Sequence, residues 1–116
     1  MASFQKKRFE KPDETTSPPH AKVEVVKISD LSLARTTYAP GWKWSKDIKP
    51  IVGTSSCQKH HVGYCLSGHI AGTLDNGSKW EVGPGDVFDI PAGHDGWVVG
   101  NEPAVLLELG GQATSK

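Results

Sequence analysis

Two short stretches concentrate the side chains that can do chemistry. Cys57, His60 and His61 stand close together, and His94 is followed directly by Asp95. A thiolate is a nucleophile and a soft metal ligand, and an imidazole is an acid, a base or a ligand near neutral pH. Along a strand alternate residues share a face, so positions 57, 59, 61, 63 and 65 fall on one side and 58, 60, 62 and 64 on the other. Each of these residues also has a plainer reading. Free cysteine is most often a small buried apolar residue. His61 can be a histidine hydrogen-bonded to Tyr64, Asp89 or backbone, and His94 can make a turn contact or line a pocket mouth. Cys65 belongs to the core on its parity.

The elements that must position these residues read as short strands. Lys22 to Ile28 carries Val23, Val25 and Val26, and Ser32 to Tyr38 carries Thr36 and Thr37 beside Tyr38, so both favour strand. Ala39-Pro40-Gly41 is a turn signal, and Trp42-Lys43-Trp44 after it has period two, which places both indoles on one strand face. Residues 45–56 contain Pro50 and Gly53 and read as a long loop. Strands follow at His60 to Leu66, His69 to Leu74, Ser78 to Val82, Val87 to Ile90, Trp97 to Val99 and Ala104 to Leu109. Asp75-Asn76-Gly77 is a strong hairpin signal, and Gly83-Pro84-Gly85-Asp86 is a tight turn that the Asp86 carboxylate is expected to hold. No helix and no repeat is expected. Short, evenly spaced strands of this kind suggest a closed barrel or jelly roll.

Length and composition set bounds. The chain has 116 residues, enough for one domain. Thirteen basic residues balance thirteen acidic ones, which argues against nucleic acid or an anionic membrane surface as partner. Two cysteines are too few for a disulfide framework, and no apolar run suits a bilayer span or a secretory signal. A cytoplasmic location is the expectation. Residues 1–20 read as a flexible N-terminal tail, 21–112 as the barrel and 113–116 as a C-terminal tail.

The motifs resemble the cupin family over roughly residues 55–109. His61-Val62-Gly63-Tyr64-Cys65-Leu66-Ser67-Gly68 has the form of the end of the first cupin motif, with His61 where a Glu is usual. Gly85, Pro91 and Gly93 fit the second motif without a gap. The resemblance implies an all-β fold, a small double-stranded β-helix or jelly-roll barrel. It also implies a metal site of three His and one Glu inside the barrel, which this chain rewrites. The first His position falls on Ser55, the second on Cys57, the Glu on His61 and the third His on Gly96. The motif's closing Asn falls on Gly100.

On the resemblance, Cys57 and His61 point inward and His60 outward, while His94 sits two residues before the lost third His. Cys57, His61 and His94 then form a three-residue site with an open position. Thiolate plus two imidazoles suits Zn, Fe or Cu over Mg or Ca. Asp95 or Asp89 could complete the site or orient a ligand His. Trp97, Tyr64 and Trp44 are candidates for the wall of a ligand pocket. The expected function is a cupin binding a small organic molecule in the barrel, as a metal-dependent isomerase, dioxygenase-type enzyme or hydrolase, and the family implies a homodimer. The alternative is a binding or sensing module without metal.

Overall fold

The computed structural model describes residues 3–109, so the expected C-terminal tail 113–116 and the expected barrel residues 110–112 lie outside the described residues. Nine strands and two short helices follow in order: β1 (Glu14–Thr16), β2 (Ala21–Ile28), β3 (Leu31–Tyr38), α1 (Trp44–Asp47), α2 (Lys49–Val52), β4 (His61–Ser67), β5 (Ile70–Leu74), β6 (Lys79–Val82), β7 (Val87–Ile90), β8 (His94–Val98) and β9 (Ala104–Leu109). They form a six-stranded sheet ordered β1-β2-β3-β9-β4-β7 and a three-stranded sheet ordered β6-β5-β8. All neighbours are antiparallel. No helix among the described residues is long and apolar enough to cross a membrane.

Alternation decides what faces the interior. Ala34 and Thr36 of β3, Cys65 of β4, Phe88 and Ile90 of β7, and Ala104, Leu106 and Glu108 of β9 are buried from the large sheet. Ile70, Val82, His94 and Val98 answer from the small sheet. The turns behave as their residues require. Gly77 takes φ +90° between β5 and β6, where the Asn76 side chain accepts the Ser78 N–H at 2.9 Å. At Gly83-Pro84-Gly85-Asp86 the carboxylate accepts the Gly83 N–H at 2.8 Å, and Gly85 takes φ +91°.

Three expectations change. Trp42-Lys43-Trp44 is not a strand: Trp44 opens α1, and both indoles are buried in the core from a loop and a helical turn. The Asp47 carboxylate accepts the Lys43 N–H at 3.0 Å, and Asp95 accepts the Ser45 N–H at 3.1 Å, which curls the chain into the turn. The expected loop at 45–56 holds two four-residue helices; α2 has Pro50 in its first turn and ends on Gly53 at φ +80°. The expected N-terminal tail contains β1, which pairs Glu14 with Val25 and Thr16 with Val23. Ahead of it, Phe9 lies under the Arg35 guanidinium at 5.2 Å, and Arg35 donates to Glu24 at 3.0 Å. Ladder bonds and these contacts attach the arm to the barrel, so strand pairing starts well before residue 21.

The packing across β4 gives a stability prediction. A Cβ on Gly63 would lie 1.9 Å from the backbone oxygen of Leu107, which cannot step aside, whereas one on Gly77 would meet open space. Gly63→Ala is expected to cost about 3 kcal/mol. Gly77→Ala, which suffers only from its positive φ, is expected to cost about 1 kcal/mol. Urea unfolding of the two variants measures the difference.

Candidate metal centre

Three elements bring Cys57, His61 and His94 together. Cys57 precedes β4 and is clamped to the start of β8 by backbone bonds: its N–H donates to the His94 oxygen at 2.7 Å, and its oxygen accepts from the N–H groups of Gly93 at 2.7 Å and His94 at 3.2 Å. His61 is the first residue of β4, and His94 the first of β8 with its side chain buried. One ligand atom from each of the three lies within 4.8 Å of the others, an arrangement that could hold a metal ion. Cys57 Sγ stands 3.7 Å from His61 Nε2, and the two imidazoles meet edge to face with centroids 5.1 Å apart.

The far side of each ring is already committed. His61 Nδ1 is 2.6 Å from Glu108 Oε1, and His94 Nδ1 is 2.7 Å from the Pro91 oxygen. Both acceptors demand a proton on Nδ1, which turns each Nε2 toward the cysteine. Glu108 is itself buried, and its other oxygen lies 3.4 Å from the Tyr38 hydroxyl. Tyr38 keeps its proton, because burial and then the Glu108 charge push its phenol well above the ordinary value.

The charges inside follow from these contacts. Burial alone would push the Cys57 thiol up, but hydrogen bonds from His61, His94 and the Lys59 backbone outweigh it and bring it down to about 6. Burial would likewise push His61 down, but its bonds to Cys57 and Glu108 dominate and raise it to about 10. Without metal, therefore, the centre near neutral pH is a thiolate and an imidazolium with a carboxylate behind.

No protein-family pattern matches the chain, and no curated protein matches it by sequence. Solved structures do. A protein of unknown function from Rhizobium leguminosarum superposes with TM-score 0.65 at 18% identity, covering 93% of this chain and 96% of that one. The Cnp3 cupin domain of Schizosaccharomyces pombe gives TM-score 0.58 at 16% identity, covering 82% of this chain and 65% of that one. A sugar phosphate isomerase from a cupin superfamily, from Silicibacter pomeroyi, gives TM-score 0.54 at 19% identity over 77% of this chain and 57% of that one. This chain has the cupin fold.

The fold gives a physical reason for the glycine at position 96. Trp80, Gly72 and Gly96 stand side by side across β6, β5 and β8. A Cβ on Gly72 would fall 2.2 Å from Trp80 Cζ2, and one on Gly96 3.2 Å from Trp80 Cη2. The indole thus covers both glycines on the inner face and crowds the space that a side chain at position 96 would enter. Positions 94 and 96 share the inward parity, so His94 supplies an imidazole one step along the same face. Its ring meets the Trp80 edge at 6.1 Å between centroids. Ser55 is exposed and contributes nothing to the centre.

The other expected residues lie elsewhere. Asp95 and Trp97 have outward parity on β8. Asp95 receives the Ser45 and Gly96 N–H groups, and Trp97 carries Lys43 Nζ 5.3 Å above its ring. Asp89 is exposed on β7, pairs with His60 at 2.6 Å and also lines a groove between β6 and β7, and Tyr64 is 40% exposed on the outer face of β4. Trp44 is buried in the same core cluster as Cys57, with no contact that makes it a pocket wall. Sequence reading missed Glu108, Tyr38 and Trp80. The signal for Glu108 was present: a carboxylate on the inward parity of Ala104, Leu106 and Glu108, in a strand otherwise apolar.

These couplings predict a titration. In metal-free protein the thiolate absorbance should appear with a midpoint near pH 6, and His61→Ala should move it up toward the ordinary cysteine value of about 8.5. Stability carries the same signature. The Cys57 contribution is complete above its unfolded value and is lost as pH falls through about 6. The His61 contribution is complete below its unfolded value and is lost as pH rises through about 10. The urea midpoint of Cys57→Ser should therefore converge on wild type as pH falls below about 6, and that of His61→Ala as pH rises above about 10.

Proposed function

We propose that this cupin is a metal-dependent enzyme that holds one divalent transition metal on Cys57, His61 and His94 and acts on a small organic molecule in the barrel. The observation that carries this reading is the convergence of three ligand atoms from separate elements, with both histidine Nδ1 atoms engaged elsewhere. The donor set fits the group. Tetrahedral zinc with ordinary Zn–S and Zn–N bonds separates sulfur from nitrogen by about 3.6 Å, and Cys57 Sγ and His61 Nε2 stand 3.7 Å apart. One thiolate and two imidazoles suit zinc, iron or copper. Three protein ligands leave a position open, where a bound metal would polarise a carbonyl or lower the pKa of water.

The chain's own residues have definable parts. Glu108 holds the proton on His61 Nδ1 and so keeps the Nε2 lone pair facing the centre. Tyr38, neutral, supports Glu108 from behind. The packed apolar residues around Cys57 keep water away. Support for an enzymatic reading also comes from the same fold in a sugar phosphate isomerase and in the polyketide cyclase RemF from Streptomyces resistomycificus, which matches with TM-score 0.62 at 19% identity over 91% of this chain and 78% of that one.

A second reading has its own observation. Cys57, His61 and Glu108 run in line as nucleophile, base and orienting carboxylate, the pattern of a thiolate enzyme that needs no metal.

Elemental analysis of untagged protein separates the two. About one transition metal per chain is expected, lost in Cys57→Ser, His61→Ala and His94→Ala. Glu108→Gln should bind the metal about tenfold to a hundredfold more weakly while remaining folded. Metal-free protein whose Cys57 is alkylated rapidly by iodoacetamide would replace the metal reading with the thiolate one.

A further inference from the structure

We propose that the small molecule bound at this centre carries an acceptor oxygen, as a carboxylate or a carbonyl, and that the indole N–H groups of Trp80 and Trp42 bind it. The inference rests on reading the barrel interior as a ligand site and goes on to name the ligand's chemistry.

Two buried donors lack partners. Trp42 Nε1 and Trp80 Nε1 have no hydrogen-bond partner among the described residues. An indole N–H can only donate, and leaving a buried donor unpaired costs about 1–3 kcal/mol. A chain this small has little stability to spare for two such losses. Buried polar groups are otherwise almost always satisfied, so each exception needs a cause.

Trp80 borders the centre directly, whereas Trp42 is joined to it through Tyr38 and Glu108. Trp80, from the small sheet, meets the His94 ring edge on at 6.1 Å. Trp42, from the loop before α1, packs on Tyr38 with centroids 4.4 Å apart, and Tyr38 reaches Glu108, which holds His61. The histidine Nδ1 protons are spent on Glu108 and the Pro91 oxygen, so they offer nothing to an incoming acceptor. Donors without acceptors select oxygen lone pairs. The neighbouring side chains, Phe88, Ile90, Val98 and Leu106, are apolar and suit a short hydrocarbon body rather than a polyol.

A groove of about 270 Å³ opens between β6 and β7, lined by Trp80, by apolar residues that include Val82, Phe88 and Ile90, and by the carboxylates Glu81 and Asp89. Trp80 therefore touches both this groove and, edge on, the His94 ring.

Nitrogen-15 spectra of the tryptophan side chains test the proposal on the full chain, with and without zinc. Acetate and acetone serve as carboxylate and carbonyl probes, and Trp80→Phe and Trp42→Phe assign the resonances. At least one probe should move the Trp80 and Trp42 N–H resonances downfield and saturably, leaving Trp97 unmoved. Trp80→Phe should weaken that probe's binding about tenfold. If neither probe moves these resonances in either form, or if Trp97 moves equally and without saturation, the proposal is overturned. Zinc content is measured on the same samples. Bound zinc with silent indoles overturns this inference alone, whereas zinc that fails to bind overturns the metal reading and leaves the metal-free spectra to decide this one. The wild-type titration stands even if a variant fails to fold.

Discussion

A carboxylate inside a β-barrel has to be answered by donors, because an isolated buried charge is among the most costly features a fold can contain. Glu108 sets that constraint here. It is only 7% exposed and lies on a strand whose other inward residues, Ala104 and Leu106, are apolar. His61 and Tyr38 answer it, from β4 on one side of β9 and β3 on the other. Gly63, directly across from Glu108, has no side chain to occupy the space between them. Once His61 gives its Nδ1 proton to Glu108, its Nε2 has one direction left, and that direction is Cys57.

The other half of the centre is held by backbone rather than by charge. Three hydrogen bonds lock Cys57 against Gly93 and His94, so the sulfur and the second imidazole are placed by a miniature strand pairing between otherwise separate elements. Gly93, at φ +88°, permits the turn that starts it. Trp80 then limits where an imidazole can stand. Its ring occupies the ground above Gly72 and Gly96, so position 94 is the inward position on β8 beside that ring. Moving the histidine by two residues preserves its face, which moving by one would not.

The barrel was legible because turn chemistry and strand alternation are local. Asn76-Gly77, the Gly83 to Asp86 turn and the Val87 to Ile90 alternation each follow from a few adjacent residues. The short helices were not legible, because four residues carry no period; α1 is held by Asp47, which reaches back to the Lys43 N–H, and by Asp95, which acts across the fold on the Ser45 N–H. The same division runs through the site. Cys57 and His61 could be set on one face by counting, and His94 by its place in the second motif. Glu108 and Trp80 matter through cross-strand neighbours, and strand pairing between β4 and β9 is invisible to counting. Asp95, Tyr64 and Trp97 were placed near the centre by proximity in sequence, which parity then turned outward.

Electrostatics also joins the two readings of the centre. Thiolate, imidazolium and carboxylate sum to one negative charge in a site with apolar walls, and no lysine or arginine contact offsets it among the described residues. Such a site favours an added cation, because Coulomb interactions are stronger where water is excluded. A proton on His61 Nε2 meets that demand in part. On the metal reading, a divalent ion displacing that proton would bring the sum to zero, with Glu108 still holding Nδ1. On the thiolate reading the same proton is what His61 would deliver to a leaving group. One hydrogen bond, from His61 to Glu108, therefore supports either chemistry, and the choice between them depends on what occupies the position beside Nε2.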